Sequence, residues 1–202
     1  LRKQILIEGV QRKIAKDIVI PPEEITAAYE QKKADYEAQL RASHILVCDQ
    51  LDQSNRNCNI SPNDEELARS ISVRARAGED FAVLARQYSR DNGTSGNAGD
   101  LGWFGKNAFV PAFEEAAYAL QPGQISDPVK TQFGYHVIKL VSKGRSLEDA
   151  KEEIQEQLAR PRQQEAFQKW LEEKLTTARI RVNPQYGRYD SITQSVVGAS
   201  TR

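Results

Sequence analysis

Residues 132–141 read QFGYHVIKLV, and strict alternation puts Tyr135, Val137 and Lys139 on one strand face and His136, Ile138 and Leu140 on the other. A second short strand, ASHILV at 42–47, is apolar on both faces and carries His44 inside it. The chain has two histidines in all, and each stands where apolar residues are the rule. A buried imidazole keeps such a place when its ring nitrogens are hydrogen-bonded, and a mutually bonded pair satisfies both rings. Two separately satisfied core histidines are the plainer reading of the residues alone.

The rest of the chain supplies helices around these strands. Ile7, Val10, Ile14 and Ile18 keep helical spacing until Pro21 and Pro22, and EEITAAYEQKKADYEAQL resumes the period with Ile25, Tyr29, Lys32, Tyr36 and Leu40 on one stripe. After the first strand, Ser61 and Asp64 form a capping box with Pro62 at the first helical position, and that helix runs to Gly78. Asp80 caps a second helix, with Phe81, Leu84, Ala85 and Tyr88 on its apolar face. SRDNGTSGNAGD, rich in turn formers, is a loop. Pro111 then starts a helix that buries Phe113, Ala116, Ala117 and Leu120.

A strand is expected over 125–130, a turn at Phe133 and Gly134, and then the histidine-bearing strand. The order strand, helices, strand, helix, hairpin describes an α+β roll of about 100 residues. From Ser146, capped with Asp149, the chain is helical again; Pro161 is expected to interrupt it, and Phe167, Trp170, Leu171 and Leu175 continue a second helix to about Ala178. The tail has no helical period and is expected to be extended, then disordered beyond about Asp190.

Lys and Arg number 28 against 28 Asp and Glu, with no block of one sign, so the charge pattern offers nothing to nucleic acid or to an acidic membrane surface. No apolar run reaches the roughly 18 residues a membrane span needs, and any signal peptide is expected to have stood upstream of these residues. Methionine is absent even at position 1, so the chain is expected to be a processed or excised piece of a longer product. Cys48 and Cys58 bracket the polar loop CDQLDQSNRNC. In an exported protein they can close a disulfide worth about 2–3 kcal/mol; otherwise they are two unrelated thiols. A thiol enzyme does not fit, since His44 and Cys48, on one strand face, lie roughly 13 Å apart at strand rise.

ASHILV, GEDFAVLARQYSRD, GDLGWF, PAFEEAAYAL and GQISDPVKTQFGYHVIKL resemble, in order and spacing, the parvulin-type peptidyl-prolyl cis/trans isomerases. The helical flanks and the IRVNPQYG ending resemble secreted bacterial foldases in which a parvulin domain is inserted into a chaperone domain built from both chain ends. The resemblance implies a four-stranded antiparallel sheet with surrounding helices. It divides the chain into 1–41 and 144–182 as the two helical parts of a chaperone domain, 42–143 as the isomerase and 183–202 as a tail.

It also implies roles. His44 and His136 match the paired histidines, Thr131 the hydroxyl that joins them, and Asp91, or its neighbour Asn92, the cysteine or aspartate at the mouth of the site. Leu101, Phe109, Phe113 and Phe133 match the substrate-binding set, with Phe109 where the family often has methionine. No cofactor or metal is called for, because two histidines on distant strands with no third ligand make a poor zinc site. The loop after the first strand is acidic and neutral apart from Arg56, so phosphate recognition is not expected.

The expected partners are unfolded or proline-containing polypeptides, in an extracytoplasmic setting, with the membrane involved only through an anchor outside this chain. The oligomeric state is not readable. The rival reading is a holdase that binds unfolded polypeptide beside an inactive or structural parvulin domain. Because their loop lies outside the matched blocks, the cysteines are expected to serve stability alone.

Overall fold

Strand β1 (Leu40–Val47) lies between β2 (Asp100–Phe104) and β4 (Gly134–Lys143), and β3 (Val129–Thr131) extends the sheet beyond β4. The order is β2-β1-β4-β3 and every pairing is antiparallel. The computed structural model describes residues 2–49, 58–177, 188–190 and 195–198. Ala28–Ala150 make up one compact unit, which holds this sheet; the chain ends, Leu1–Ala27 and Lys151–Arg202, group as another.

Both faces of the central pair are covered, as their alternation requires. On one face Ile45, Val47, Tyr135 and Val137 pack with Ile71 and Ala75 of α4 (Pro62–Arg76) and with Phe81 and Leu84 of α5 (Phe81–Tyr88). On the other, Leu40, Ala42, Ile138 and Leu140 pack with Phe104 and with Phe113 and Ala117 of α6 (Pro111–Ala119). Each fully buried Ile or Leu among them contributes about 1.5–3 kcal/mol of hydrophobic free energy. Helix starts fall where their caps put them. Ser61 and Asp64 close a capping box, the Asp80 side chain accepts from Ala82 N–H at 2.8 Å, and Pro111 opens α6.

Four expectations change. The strand expected over 125–130 shrinks to Val129–Thr131 with a lone bridge at Ile125, because Pro128 has no N–H and the Ser126 side chain takes a ladder position: its Oγ accepts from Ile138 N–H at 2.9 Å. The second N-terminal helix is two, α2 (Pro22–Gln31) and α3 (Lys33–Glu37), and Leu40 already belongs to β1. Around that break Tyr29 and Tyr36 stack at 5.2 Å, and the Tyr29 hydroxyl donates to the Arg145 carbonyl at 2.9 Å.

Pro161 does not interrupt the last helix. α7 runs from Leu147 to Thr177, since strong helix formers flank the proline on both sides and the next residue, Arg162, is anchored to the Glu24 carboxylate. In the tail, β5 (Arg188–Asp190) pairs with β6 (Ser195–Val197), so order extends past Asp190; the remainder of the expected tail lies outside the described residues. Among the described residues no helix is long and apolar enough to cross a membrane.

Candidate active site

The β1–β4 register sets Ile138 opposite His44 and His136 opposite Leu46, so the two histidines are diagonal neighbours on one face. Their Nδ1 atoms are 3.2 Å apart and their rings stack at 5.4 Å. Both are buried, His44 at 6% and His136 at 5% exposure.

The loop after α5 is fastened to β1 on either side of the His44 ring. Arg90 N–H donates to the Leu46 carbonyl at 2.8 Å, and Leu46 N–H donates to Ser89 Oγ at 3.1 Å. At the loop's far end, His44 N–H donates to the Gly99 carbonyl at 2.8 Å. Between these pins the chain turns through Ser95–Asn97 and brings Asp91 Oδ2 to 2.8 Å from His44 Nε2. Thr94 closes the corner, its hydroxyl donating to Asp91 Oδ2 at 2.7 Å and lying 3.1 Å from His44 Nε2. Gly93 N–H donates to Asp91 Oδ1 at 2.9 Å. Asp91, and not the exposed Asn92, is therefore the carboxyl-family side chain at the histidines.

On the other flank, Thr131 Oγ1 lies 2.8 Å from His136 Nε2 and accepts from Phe133 N–H at 3.1 Å. One directed set of bonds satisfies every ring nitrogen. Phe133 N–H donates to Thr131, the Thr131 hydroxyl to His136 Nε2, His136 Nδ1–H to His44 Nδ1, and His44 Nε2–H to the Asp91 carboxylate. All the donors point toward Asp91.

Electrostatics agree with that direction. The His44 hydrogen bond, helped by Thr94 and the Gly93 amide and opposed by burial, holds the Asp91 carboxyl well below the usual carboxylate range. Burial first, and the neighbouring His44 second, push His136 down to about 3, against a smaller opposing pull from Asp91. His136 is neutral and Asp91 ionised at physiological pH.

An aromatic wall stands against the pair. Phe113, 2% exposed in the first turn of α6, presents its ring edge-on to both imidazoles, 5.8 Å from His44 and 5.3 Å from His136. Phe109 meets Phe113 at 5.0 Å and Phe104 at 4.8 Å, while half-buried Leu101 packs on the same cluster. Glu114 fixes Phe109 by accepting its N–H at 3.0 Å. Phe133 differs from the other three: half-buried at the β3–β4 turn, it joins the site through its backbone and is outside both core clusters. Cys48 and Cys58 are disulfide-bonded.

Thr94, Ser89, Gly99 and Phe104 complete the constellation and are not singled out by sequence reasoning. For Thr94 a signal exists, since Asp-x-Gly-Thr after a helix is a local turn pattern in which the hydroxyl can reach back to the carboxylate. A cleft of about 680 Å³ lies between Arg76, Leu120 and the 123–129 segment. It has no such convergence of polar groups, so chemistry makes the histidine pair the candidate site.

The PPIC-type PPIase domain family matches residues 25–144. The chain belongs to the parvulin family of peptidyl-prolyl isomerases. It is 40% identical over 158 residues to foldase protein PrsA of Geobacillus sp. (strain WCH70), covering 77% of this chain and 50% of that protein. To foldase protein PrsA of Caldanaerobacter subterraneus subsp. tengcongensis it is 36% identical over 188 residues, 92% of this chain and 56% of the relative. The chain thus spans about half the length of these curated relatives. The crystal structure of PrsA from Bacillus subtilis is similar with a TM-score of 0.54 and 30% identity, over 91% of this chain and 65% of that one.

Two consequences of this parvulin site are measurable. His44→Ala strands His136 Nδ1–H and the Asp91 carboxylate together, and is expected to cost about 1–3 kcal/mol; a melting temperature equal to that of the parent would contradict the bonded pair. The second is acid sensitivity. Folded His136 protonates near 3 against an ordinary 6.5, so between those values the unfolded chain carries the extra proton and stability falls as pH is lowered. Asp91, depressed from 3.8, adds a loss of its own only below that value. The slope due to His136 approaches about 1.4 kcal/mol per pH unit. Urea midpoints from pH 7 to pH 4 should drop steeply in the parent and less in His136→Gln, and equal slopes would sink the assignment.

Proposed function

We propose that this chain is a proline isomerase that assists the folding of exported polypeptides, with His44, Asp91, His136 and Thr131 as its catalytic groups. The observation that carries the reading is the continuous bonded row from Asp91 to Thr131 beside the edge of Phe113. An X-Pro bond turns over a barrier of about 18–20 kcal/mol because the amide loses its resonance when twisted. No covalent step is needed. Leu101, Phe104, Phe109 and Phe113 hold the proline ring, and Phe133 flanks the client at the turn.

Asp91 supplies a fixed negative charge in a half-buried place. Next to the client's X-Pro amide it opposes the charge separation of the planar form, which the twisted form lacks, so it raises the planar ground state relative to the transition state. The histidine pair and Thr131 keep that carboxylate oriented and ionised.

Residues 42–143 are proposed as the isomerase, 1–41 and 144–182 as two parts of a chaperone domain, and 183–202 as its tail. A disulfide suits an oxidising, extracytoplasmic compartment, and the relatives' name, foldase, supports unfolded or proline-containing clients. A holdase function of the chain ends is the second reading. It is supported by Phe167 and Trp170, which stack at 6.0 Å and remain half-exposed on α7. A peptide isomerisation assay on the full chain tests the main reading. Catalysis that is lost in Asp91→Asn is the expected result, and a parent protein with no acceleration over the spontaneous rate would leave only the holdase.

A further inference from the structure

The disulfide is tied to the catalytic turn from both of its ends. β1 runs directly from His44 through Val47 into Cys48. Gly134, which opens β4, sits against this end so closely that a Cβ there would lie 2.5 Å from the Val47 carbonyl and 3.2 Å from Cys48 Cβ. From the other side, Cys58 N–H donates to the Gln132 carbonyl at 3.0 Å. Gln132 stands between Thr131, whose hydroxyl meets His136, and Phe133, whose amide meets Thr131. The bridge therefore holds a backbone donor against the three-residue turn that presents Thr131.

The buried Asp64 carboxylate accepts from Asp49 N–H at 2.8 Å and from Ser61 N–H at 2.7 Å, so it gathers the two sides of the loop. Ser61, however, is three residues beyond Cys58 and makes no bond to the turn among those described. With the bridge open, Cys58 loses its covalent link to β1, and its own hydrogen bond to Gln132 is left without that anchor.

We propose that the Cys48–Cys58 disulfide is a positioning device for the isomerase centre, and that its reduction lowers turnover of the folded protein. This rests on the isomerase reading above. It replaces the expectation from sequence that the bridge serves stability alone. The reductant is a dithiol: it gives two electrons and two protons, leaves two cysteine thiols, and becomes a disulfide itself.

The test is steady-state isomerisation of a short X-Pro peptide by the full chain, followed by NMR exchange so that no protease is present. It is run oxidised and with excess dithiothreitol, at a temperature where circular dichroism shows the reduced protein folded. Reduction is expected to lower kcat about five-fold with a smaller rise in KM that comes from Phe133 at the turn, since Leu101, Phe109 and Phe113 stand on other elements. The Cys48→Ser/Cys58→Ser double variant should match the reduced protein and ignore the reductant. Bridging the reduced thiols with dibromomethane, which forms two C–S bonds and releases two HBr, should restore the oxidised kcat without an S–S bond. A bond that only stabilises would leave kcat of the folded protein equal in every state, and that result overturns the proposal. So would a reduced chain unfolded at every temperature, which makes the bridge purely structural. An oxidised protein with no activity overturns the isomerase reading instead.

Discussion

Phe113→Ala is expected to remove about 3–5 kcal/mol of stability and most of the isomerase turnover together. The ring is 2% exposed, so its truncation leaves a cavity in the cluster of Leu40, Ile138 and Leu140 as well as a gap beside both imidazoles. Phe113→Leu separates the two losses. It refills most of the cavity and should return most of the stability, but a leucine has no flat edge to set against His44 and His136, so turnover should stay low. Urea midpoints and kcat/KM measured on both variants decide the matter. Normal turnover in Phe113→Ala would take this residue out of the proline pocket.

Gly99→Ala is expected to be as damaging, for a reason that has nothing to do with side-chain contact. Gly99 has φ +79°, and a Cβ built on it would stand 2.2 Å from the His44 carbonyl oxygen, a backbone atom with no room to retreat inside β1. Left-handed backbone alone costs a non-glycine residue roughly 1–2 kcal/mol. Gly123→Ala measures that cost cleanly, because its φ is +88° and nothing lies within 4 Å of the added atom. The excess at Gly99 should bring its total to about 3 kcal/mol or more. It should also release the loop that holds Asp91, so activity falls even in the fraction that folds. Equal midpoints for the two alanine variants would show that the loop end yields without consequence.

Alternation made the central strands legible, because a strand covered on both faces carries few alternatives, and the caps at Ser61, Asp80 and Pro111 marked helix starts through chemistry local to each. The pairing of His44 with His136 was less accessible. Nothing within either strand says which other strand lies beside it; only the spacing of all the matched blocks does. Thr94 was missed because its function depends on how a twelve-residue polar loop closes back on His44, and turn composition does not encode that closure. Phe104 was missed because a strand as short as β2 has too few residues for a period to show. Ser126 and Pro161 misled in opposite directions. The serine put a side chain where a strand's backbone was expected, and the proline failed to stop a helix that its neighbours favour.

His44 and His136 are 92 residues apart in the chain and adjacent in the sheet, on its first and last long strands. Bringing them together closes a long loop of the unit, and the entropy of that closure is lost before the pairing returns anything. During synthesis the first histidine leaves the ribosome long before its partner exists. No partial product has a site: α4, α5 and α6 can all be made and still have nothing to act with until the chain has passed residue 136. On the isomerase reading, a centre built in this way is complete only after this long-range contact has formed, and cannot hasten its own assembly from within.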